Sequence, residues 1–303
     1  MKKIVGYLNG FSREVDKTIL VVSTLFIAGM VWLNYGAALE ERLVHEAPYA
    51  FPEFTGRFFL FLLTFGFPYA IVFARKKLKL HWSFLACLLI APFLFALKAG
   101  TNFIVQLSAD YNWNLYWNEI LYWPVRTVLM FIALVACWWI FHRDKDRYGL
   151  NTKNLQWKPY WLMLLFMVPL IAAASTQPDF LATYPKLKNI LPLPPDAHPG
   201  WFYKLLYELG YGSDFFSIEL FFRGFLVIGF SRWVGKEAII PMACFYCSIH
   251  FGKPLGECIS SYFGGLLLGI VSYHTRSIYG GLMVHLGIAW LMEAGAIIGG
   301  KLF

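Results

Sequence analysis

Long apolar runs with almost no charge are the feature of this sequence that most restricts its fold. The chain has 303 residues, of which 58% are hydrophobic and only 15% are charged, whereas soluble domains carry about 25% charged residues. A helix needs roughly 20 apolar residues to cross the hydrocarbon core of a bilayer. The pattern therefore predicts an all-α protein, a polytopic bundle of transmembrane helices.

The apolar pattern predicts about eight to nine membrane runs. The stretches lie at roughly 18–36, 58–74, 82–98, 121–141, 159–175, 203–230, 238–251 and 258–299. The last stretch is too long for one crossing, and we expect it to divide at His274–Ser277. The first run is longer than the apolar core of a secretory signal peptide, so it is interpreted as a retained anchor.

The basic residues predict the orientation of the chain in the membrane. If each of nine runs crosses once, the loops at 1–17, 75–81, 142–158, 231–237 and 274–277 share one side and hold 16 of the 26 Lys and Arg residues. Lys and Arg concentrate on the cytoplasmic side, which predicts a multi-pass protein of the cytoplasmic membrane with its N-terminus inside. One re-entrant run would reverse the alternation downstream of it. The net charge is +8, but the Lys and Arg residues lie in short clusters between apolar runs, which indicates membrane topology rather than a binding patch. No nucleic-acid partner is therefore expected.

Composition along the chain predicts three segments. Residues 1–175 hold N-terminal transmembrane helices of unassigned role, residues 176–200 form a polar loop rich in proline, and residues 201–303 hold a helical region with buried charged groups. Proline makes an irregular connection. The five cysteines lie in or beside apolar runs, so they are interpreted as small core residues rather than as a disulfide framework.

Three ionisable residues in the C-terminal third lie inside apolar runs: Glu219, His250 and His285. A charged group inside a membrane costs about 2.5–3.5 kcal/mol on insertion scales. Counted from the nearest inner-side charge, the three residues lie roughly 20, 20 and 14 Å deep at 1.5 Å per residue. We therefore expect them to meet near the middle of the bilayer.

The residue types permit more than one chemistry. A buried carboxylate can act as a general base towards water, and a histidine can exchange protons or donate to an oxyanion. This is the equipment for metal-free hydrolysis of an amide, but two histidines and a glutamate can also bind zinc. Glu219 and Arg223 are four residues apart on one helix face, so a purely structural ion pair is a further alternative.

The C-terminal third resembles the CPBP family (CAAX protease and bacteriocin-processing, or Abi) of intramembrane glutamic-type proteases. The similarity rests on Ile218-Glu219-Leu-Phe-Phe-Arg223, on Tyr246-Cys-Ser-Ile-His250, and on His285-Leu-Gly-Ile-Ala289. It implies a catalytic helical core at 201–303. It also implies that Glu219 activates water, His250 assists, His285 stabilises the oxyanion and Arg223 positions Glu219. No cofactor is implied.

The chain departs from the family motifs at two positions. Ile218 stands where the family has its first glutamate, and Ala289 stands where it has an amide or acid. Two other acids are candidates to supply a missing group. Glu257 follows His250 closely, and Glu293 lies eight residues after His285 on roughly the same helix face. The alternatives are that Glu257 pairs with Lys253 and that Glu293 faces the outer interface.

The sequence therefore favours an intramembrane endopeptidase that acts on a membrane-embedded or lipid-modified peptide in the lipid bilayer. The alternative is a catalytically impaired relative that serves as a membrane scaffold or immunity factor. A transporter with a proton relay at Glu219 is a third hypothesis, but such proteins are expected to contain internal repeats, and the sequence has no long repeat.

Overall fold

The computed structural model describes residues 2–46, 51–100, 104–143, 146–153, 155–190 and 200–302. These residues form helices and no strand, which confirms the all-α prediction. The α-helices of the described ranges are α1 Lys2–Glu14, α2 Lys17–Ala37, α3 Pro52–Lys76, α4 Trp82–Gly100, α5 Tyr111–Cys137, α6 Trp157–Ala174, α7 Pro178–Thr183, α8 Trp201–Glu219, α9 Ser231–Val234, α10 Ile239–Ser248, α11 Leu255–Thr275 and α12 Tyr279–Leu302.

Short π-helical and 3-10 segments connect or extend these helices. The wider, π-helical segments are Glu41–His45, Trp138–His142 and Leu220–Gly229, and the tighter, 3-10 segments are Arg147–Gly149, Lys186–Ile190 and Gly235–Ala238. The segment Leu220–Gly229 continues α8 along the chain. π-helical insertions in α-helices are frequent at functional sites.

Seven helices in the described part of the chain are long and apolar enough to cross a membrane. The protein is therefore a multi-pass integral membrane protein, and the predicted eight to nine runs are an approximate count. The predicted division of the last run is confirmed, because α11 ends at Thr275 and α12 begins at Tyr279. The run 238–251 forms α10, which has ten residues and a length of about 15 Å, half the hydrocarbon thickness.

The chain folds into two compact units. The first contains Met1–Thr101, Ala133–Leu155 and Leu220–Tyr279, and the second contains Asn102–Ile132, Gln156–Glu219 and Gly280–Phe303. Tertiary contacts thus group the residues differently from the three sequence segments 1–175, 176–200 and 201–303. The roles given to those segments stay predictions. Within 176–200, the described residues include α7 and the tight segment Lys186–Ile190, and 191–199 lie outside the described residues.

Aromatic packing around α10 forms the core of the first unit. Every residue of α10 is buried. The ring of Phe245 lies 5.1 Å from Phe61, 5.4 Å from Phe65 and 5.4 Å from Phe222, measured between centroids. Aromatic pairs at such distances each add roughly 0.5–1.5 kcal/mol beyond the burial of their area. α10 is therefore an internal helix that α3, α11 and Leu220–Gly229 enclose.

Ion pairs join the basic loops at one end of the first unit. Lys76 on α3 lies 3.2 Å from Glu237, and Lys236 lies 2.6 Å from Glu14. Tyr7 of α1 stacks on His274 at 4.5 Å. Further pairs at this end are Arg75 with Asp16 and Arg276 with Asp146. The loops that were predicted to share the inner side of the membrane are thus neighbours in this unit.

The second unit packs α12 against α6 and carries a separate aromatic cluster on α8. In that cluster Tyr207 is fully buried beside Tyr116 and Ile120. Ile171 of α6 and Ala296 of α12 belong to a second buried cluster. The second half of α8 and the first half of α12 belong to the same compact unit. Both helices carry predicted site residues.

Candidate active site

Glu219 and His285 form a buried pair in the second unit. Glu219 is the last residue of α8 and is fully buried, and His285 lies in α12. The Nδ1 atom of His285 is 3.1 Å from Oε1 of Glu219. When the carboxylate is ionised it only accepts hydrogen bonds, and the Nδ1–H group of His285 is then the donor. The sequence prediction that these two residues meet is therefore supported by their geometry.

Gly281 provides the space that the Glu219 carboxylate occupies. A Cβ atom at position 281 would lie 2.2 Å from Oε2 of Glu219, which no real contact allows. Gly281 is one helical turn before His285 on α12, so the same face of this helix supplies both the gap and the hydrogen bond. The ring of Phe215 stands edge-on to His285 at 4.7 Å. Gly281 and Phe215 thus pack directly against the pair.

Arg223 and His250 lie in the first unit, where Tyr246 contacts both. Arg223 is fully buried and its guanidinium lies 4.4 Å from the centre of the Tyr246 ring. The His250 ring lies 4.8 Å from the same tyrosine, and its Nδ1 is 2.8 Å from the Tyr246 carbonyl oxygen. Because a carbonyl oxygen only accepts, Nδ1 donates and Nε2 is the basic nitrogen of this ring. Tyr246 therefore organises two of the predicted residues.

The predicted residues thus belong to two local groups. Glu219 and His285 form one group in the second unit, and Arg223, Tyr246 and His250 form another in the first unit. The chain passes directly from Glu219 into the segment that carries Arg223. The expectation that all three ionisable residues meet in mid-membrane stays a prediction, as do their chemical roles.

The two candidate replacement acids have different surroundings. Glu257 is half-buried in the first turn of α11 and lies within electrostatic range of Tyr35 and Cys258. Glu293 is buried, and its two oxygens accept hydrogen bonds from the backbone N–H groups of Lys186 and Leu187 at 2.6 and 3.1 Å. Those bonds give Glu293 a structural task, since they tie α12 to the tight segment Lys186–Ile190.

The positions that depart from the family motifs offer no polar atom. Ile218 is half-buried at the end of α8, and Ala289 is buried one turn after His285. In the described part of the chain, no three His, Cys, Asp or Glu side chains cluster as a set of metal ligands. The five cysteines are buried free thiols, as the core interpretation predicts.

An apolar groove lies in the second unit. It has a volume of about 580 Å³ and runs between α6 and α12. Trp161 and Leu165 line it from α6, and Gly287 and Trp290 line it from α12. The last two residues follow His285 by two and five positions, about 3 and 7.5 Å along the helix. At 3.6 residues per turn, both lie on roughly the opposite face of α12 from His285.

The sequence did not predict that Gly281 leaves space for the Glu219 carboxylate. It also did not predict that Tyr246 contacts both Arg223 and His250. The family motifs include Tyr246 only as one of their positions. A glycine one turn before a buried histidine is a signal for a close approach, but the identity of the approaching group depends on the packing of α8 against α12.

Comparison with known families agrees with the resemblance seen in the motifs. Residues 214–291 match the model of the type II CAAX prenyl endopeptidase Rce1-like family, which is consistent with the CPBP family. The matched residues include Glu219, His250 and His285. No curated protein and no solved structure gives a significant match. The chain is thus similar to this family over residues 214–291.

Proposed function

We propose that this protein is an intramembrane endopeptidase in which Glu219 activates water for attack on a peptide bond. The family match supports a membrane protease role. The observation that carries the mechanism is the buried hydrogen bond between His285 and Glu219 at 3.1 Å. A carboxylate at 0% exposure is costly to keep in a membrane protein unless it is paired or has a function.

In the proposed reaction, Glu219 accepts a proton from water while the water oxygen attacks the carbonyl carbon of the substrate. The carbonyl oxygen becomes an oxyanion, and the C–N bond then breaks as Glu219 returns the proton to the leaving amine. The products are one carboxylic acid and one amine, so the reaction consumes one water molecule. General base catalysis of this kind contributes roughly 10²–10⁴-fold to a rate.

The surrounding residues receive supporting roles. His285 orients the carboxylate through Nδ1, and in its doubly protonated form it also presents an Nε2–H to the oxyanion. His250 assists the water or the leaving group through Nε2, because its Nδ1 is committed to the Tyr246 carbonyl oxygen. Arg223 supplies a fixed positive charge one helical turn after Glu219. Glu257 is retained as a candidate second acid.

The proposed substrate is a membrane-proximal peptide with a lipid anchor. The matching family is described as type II CAAX prenyl endopeptidase Rce1-like. The groove between α6 and α12 favours this class, because its walls are apolar. The hydrocarbon chain of the anchor would occupy this groove.

The test uses the purified full-length protein in nanodiscs and a fluorescent peptide with or without a prenyl chain on its cysteine. We expect wild-type protein to cleave the prenylated peptide, and Glu219→Gln and His285→Ala to lower the rate by roughly 10²-fold or more. Glu46→Gln is the matched control, since Glu46 is an exposed acid of the first unit. Cleavage by Glu219→Gln at the wild-type rate would refute the mechanism.

A second candidate function is a non-catalytic membrane scaffold or immunity factor. It is favoured by Ile218 and Ala289, which place hydrocarbon at two motif positions. This function predicts that the wild-type protein cleaves no peptide in the assay. It also predicts that His250→Ala and His285→Ala retain binding to a co-purified partner. Cleavage that depends on Glu219 excludes it.

A further inference from the structure

His250 lies in the turn that follows the C-terminal end of α10. α10 ends at Ser248, and its chain continues through tight turns in which His250 N donates to the Cys247 carbonyl oxygen and Lys253 N donates to the His250 carbonyl oxygen. The Ser248 carbonyl oxygen accepts the Phe251 N–H, so backbone N–H groups of the turn satisfy the last carbonyl groups of α10. Carbonyl groups later in the turn receive donors from side chains of another helix.

Two consecutive residues near the end of α2 donate to carbonyl groups of this turn. The side-chain amide of Asn34 donates to the Phe251 carbonyl oxygen at 2.9 Å. The hydroxyl of Tyr35 donates to the Lys253 carbonyl oxygen at 2.5 Å and lies 3.4 Å from the His250 carbonyl oxygen. These contacts link residues more than 200 positions apart in the sequence, within the same unit.

The orientation of the Asn34 amide is determined by both of its neighbours. Its oxygen accepts the backbone N–H of Glu40 at 3.0 Å, so its nitrogen faces the Phe251 carbonyl oxygen. Asn34 is buried at 7% exposure. A buried amide that satisfies both its donor and its acceptor side holds its partners in register. Neither neighbour would be satisfied if the amide were reversed.

We infer that Asn34 and Tyr35 are positioning residues for His250, and this inference rests on the proposed function. Together they form a clamp that fixes the backbone on the C-terminal side of the histidine, while the Tyr246 carbonyl oxygen fixes the ring. The clamp gives the otherwise unassigned N-terminal region a role in the site. A shift of about 1 Å in a catalytic group can cost roughly 10²-fold in rate, so a loose turn would impair His250.

Three variants separate the parts of the clamp. Asn34→Ala removes both amide contacts. Asn34→Asp keeps an acceptor for Glu40 N but, when ionised, has no hydrogen to donate to Phe251. Tyr35→Phe removes only the hydroxyl. Tyr262→Phe is the matched control, because the Tyr262 hydroxyl on α11 bonds Thr24 on α2 at 2.7 Å and so joins these helices away from the turn.

Two measurements are made on each full-length variant. Hydrogen exchange followed by mass spectrometry reports on the amides of residues 249–253, and peptide cleavage gives kcat and KM. We expect Asn34→Asp and Tyr35→Phe to speed exchange in this turn and to lower kcat by roughly 10- to 100-fold. KM should stay close to wild type, because the substrate-binding groove is untouched. Tyr262→Phe should leave turn exchange and kcat unchanged.

The outcomes distinguish the clamp from the proposed function. Unchanged exchange in Asn34→Asp and Tyr35→Phe would show that these residues do not hold the turn. Faster exchange with an unchanged kcat in a peptidase that requires His250 would show a structural contact without a positioning role. If the wild-type protein cleaves nothing, the proposed function fails, while hydrogen exchange still decides whether the clamp holds the turn.

Discussion

The position of the Glu219 carboxylate depends on Gly281, a neighbour that has no side chain. A methyl group at position 281 would lie 2.2 Å from Oε2, and both residues sit in packed helices of the second unit. The carboxylate must then move, and its hydrogen bond to His285 at 3.1 Å must change with it. The space at Gly281 is therefore as much a part of the site as the charged groups.

We predict that Gly281→Ala lowers peptide cleavage by roughly 10²-fold, because the reacting carboxylate is displaced. The overpacking should also cost roughly 1–3 kcal/mol of stability. Cleavage rate and thermal unfolding in detergent measure the two effects. Gly264→Ala is the control, since a Cβ there meets no atom within 4 Å. Wild-type activity in Gly281→Ala would contradict the role assigned to this glycine.

Glu293 offers a separate prediction, because its oxygens already bind two backbone N–H groups. Glu293→Ala leaves those donors without an acceptor, so we expect a loss of stability of roughly 1–3 kcal/mol. The rate per folded molecule should stay close to wild type. Thermal unfolding and an active-fraction measurement separate the two. A large fall in rate with unchanged stability would instead support Glu293 as a chemical group.

At the scale of elements, the short α10 is the centre of the first unit rather than a crossing helix. Its ten residues are all buried, and aromatic rings from α3, α4 and Leu220–Gly229 pack around Phe245. A buried internal helix and a membrane helix are both apolar on every side. Length alone distinguishes them, so an apolar run of 14 residues at 238–251 could be interpreted as either.

The pair Lys76–Glu237 tests how the segment before α10 is fixed to α3. Glu237 has a side-chain exposure of 5%, and that of Lys76 is 35%. Lys76→Ala should therefore cost about 1–3 kcal/mol, since it leaves a buried carboxylate without its cation. Glu237→Gln should cost less than about 1 kcal/mol, because water can solvate the remaining lysine.

Unfolding curves of these two single variants and of the double variant measure the difference between the two losses of stability. The double variant should be more stable than Lys76→Ala, since it removes the buried charge as well. Equal losses in the two single variants would show that burial of Glu237 does not determine the cost. Lys79→Ala, an exposed lysine on the same loop, serves as the control.

At the scale of the whole molecule, contacts between loops at the charged end of the first unit predict which loops share one side of the membrane. Glu14, Lys76 and Lys236 are joined there by ion pairs, and Tyr7 stacks on His274. Loops in such contact must lie on the same side of the membrane. Glu46 follows the C-terminal end of α2, one membrane helix away from α1 along the chain. We propose that the charged end faces the cytoplasm, as the distribution of Lys and Arg favours.

Single cysteines at Asn9, Lys79 and Glu46, in a background without the native cysteines, test this topology. All three positions are exposed. A membrane-impermeant maleimide should label Asn9→Cys and Lys79→Cys only in inverted vesicles, and Glu46→Cys only in intact cells. Labelling of all three from one side would contradict the crossing of α2. Reversed labelling would contradict the inward orientation of the N-terminus.

The sequence by itself determined the helical class, the membrane location and the identity of the motif residues. These follow from local properties: the length of apolar runs, the cost of a buried charge and the spacing of residues along one helix. The division of the last run at 274–277 was predictable for the same reason, since a polar break in an apolar run is visible without a partner. The contact of Glu219 with His285 was also expected from depth.

Only the tertiary structure decided which distant side chains complete each group. Gly281 opposite Glu219, the two backbone donors on Glu293, and Asn34 against the turn of His250 all join residues that are far apart in the sequence. Such contacts depend on how helices pack, and one apolar helix face looks much like another in a sequence. The carboxylate and the histidines could therefore be identified from the residues alone, whereas the neighbours that hold them in place could not.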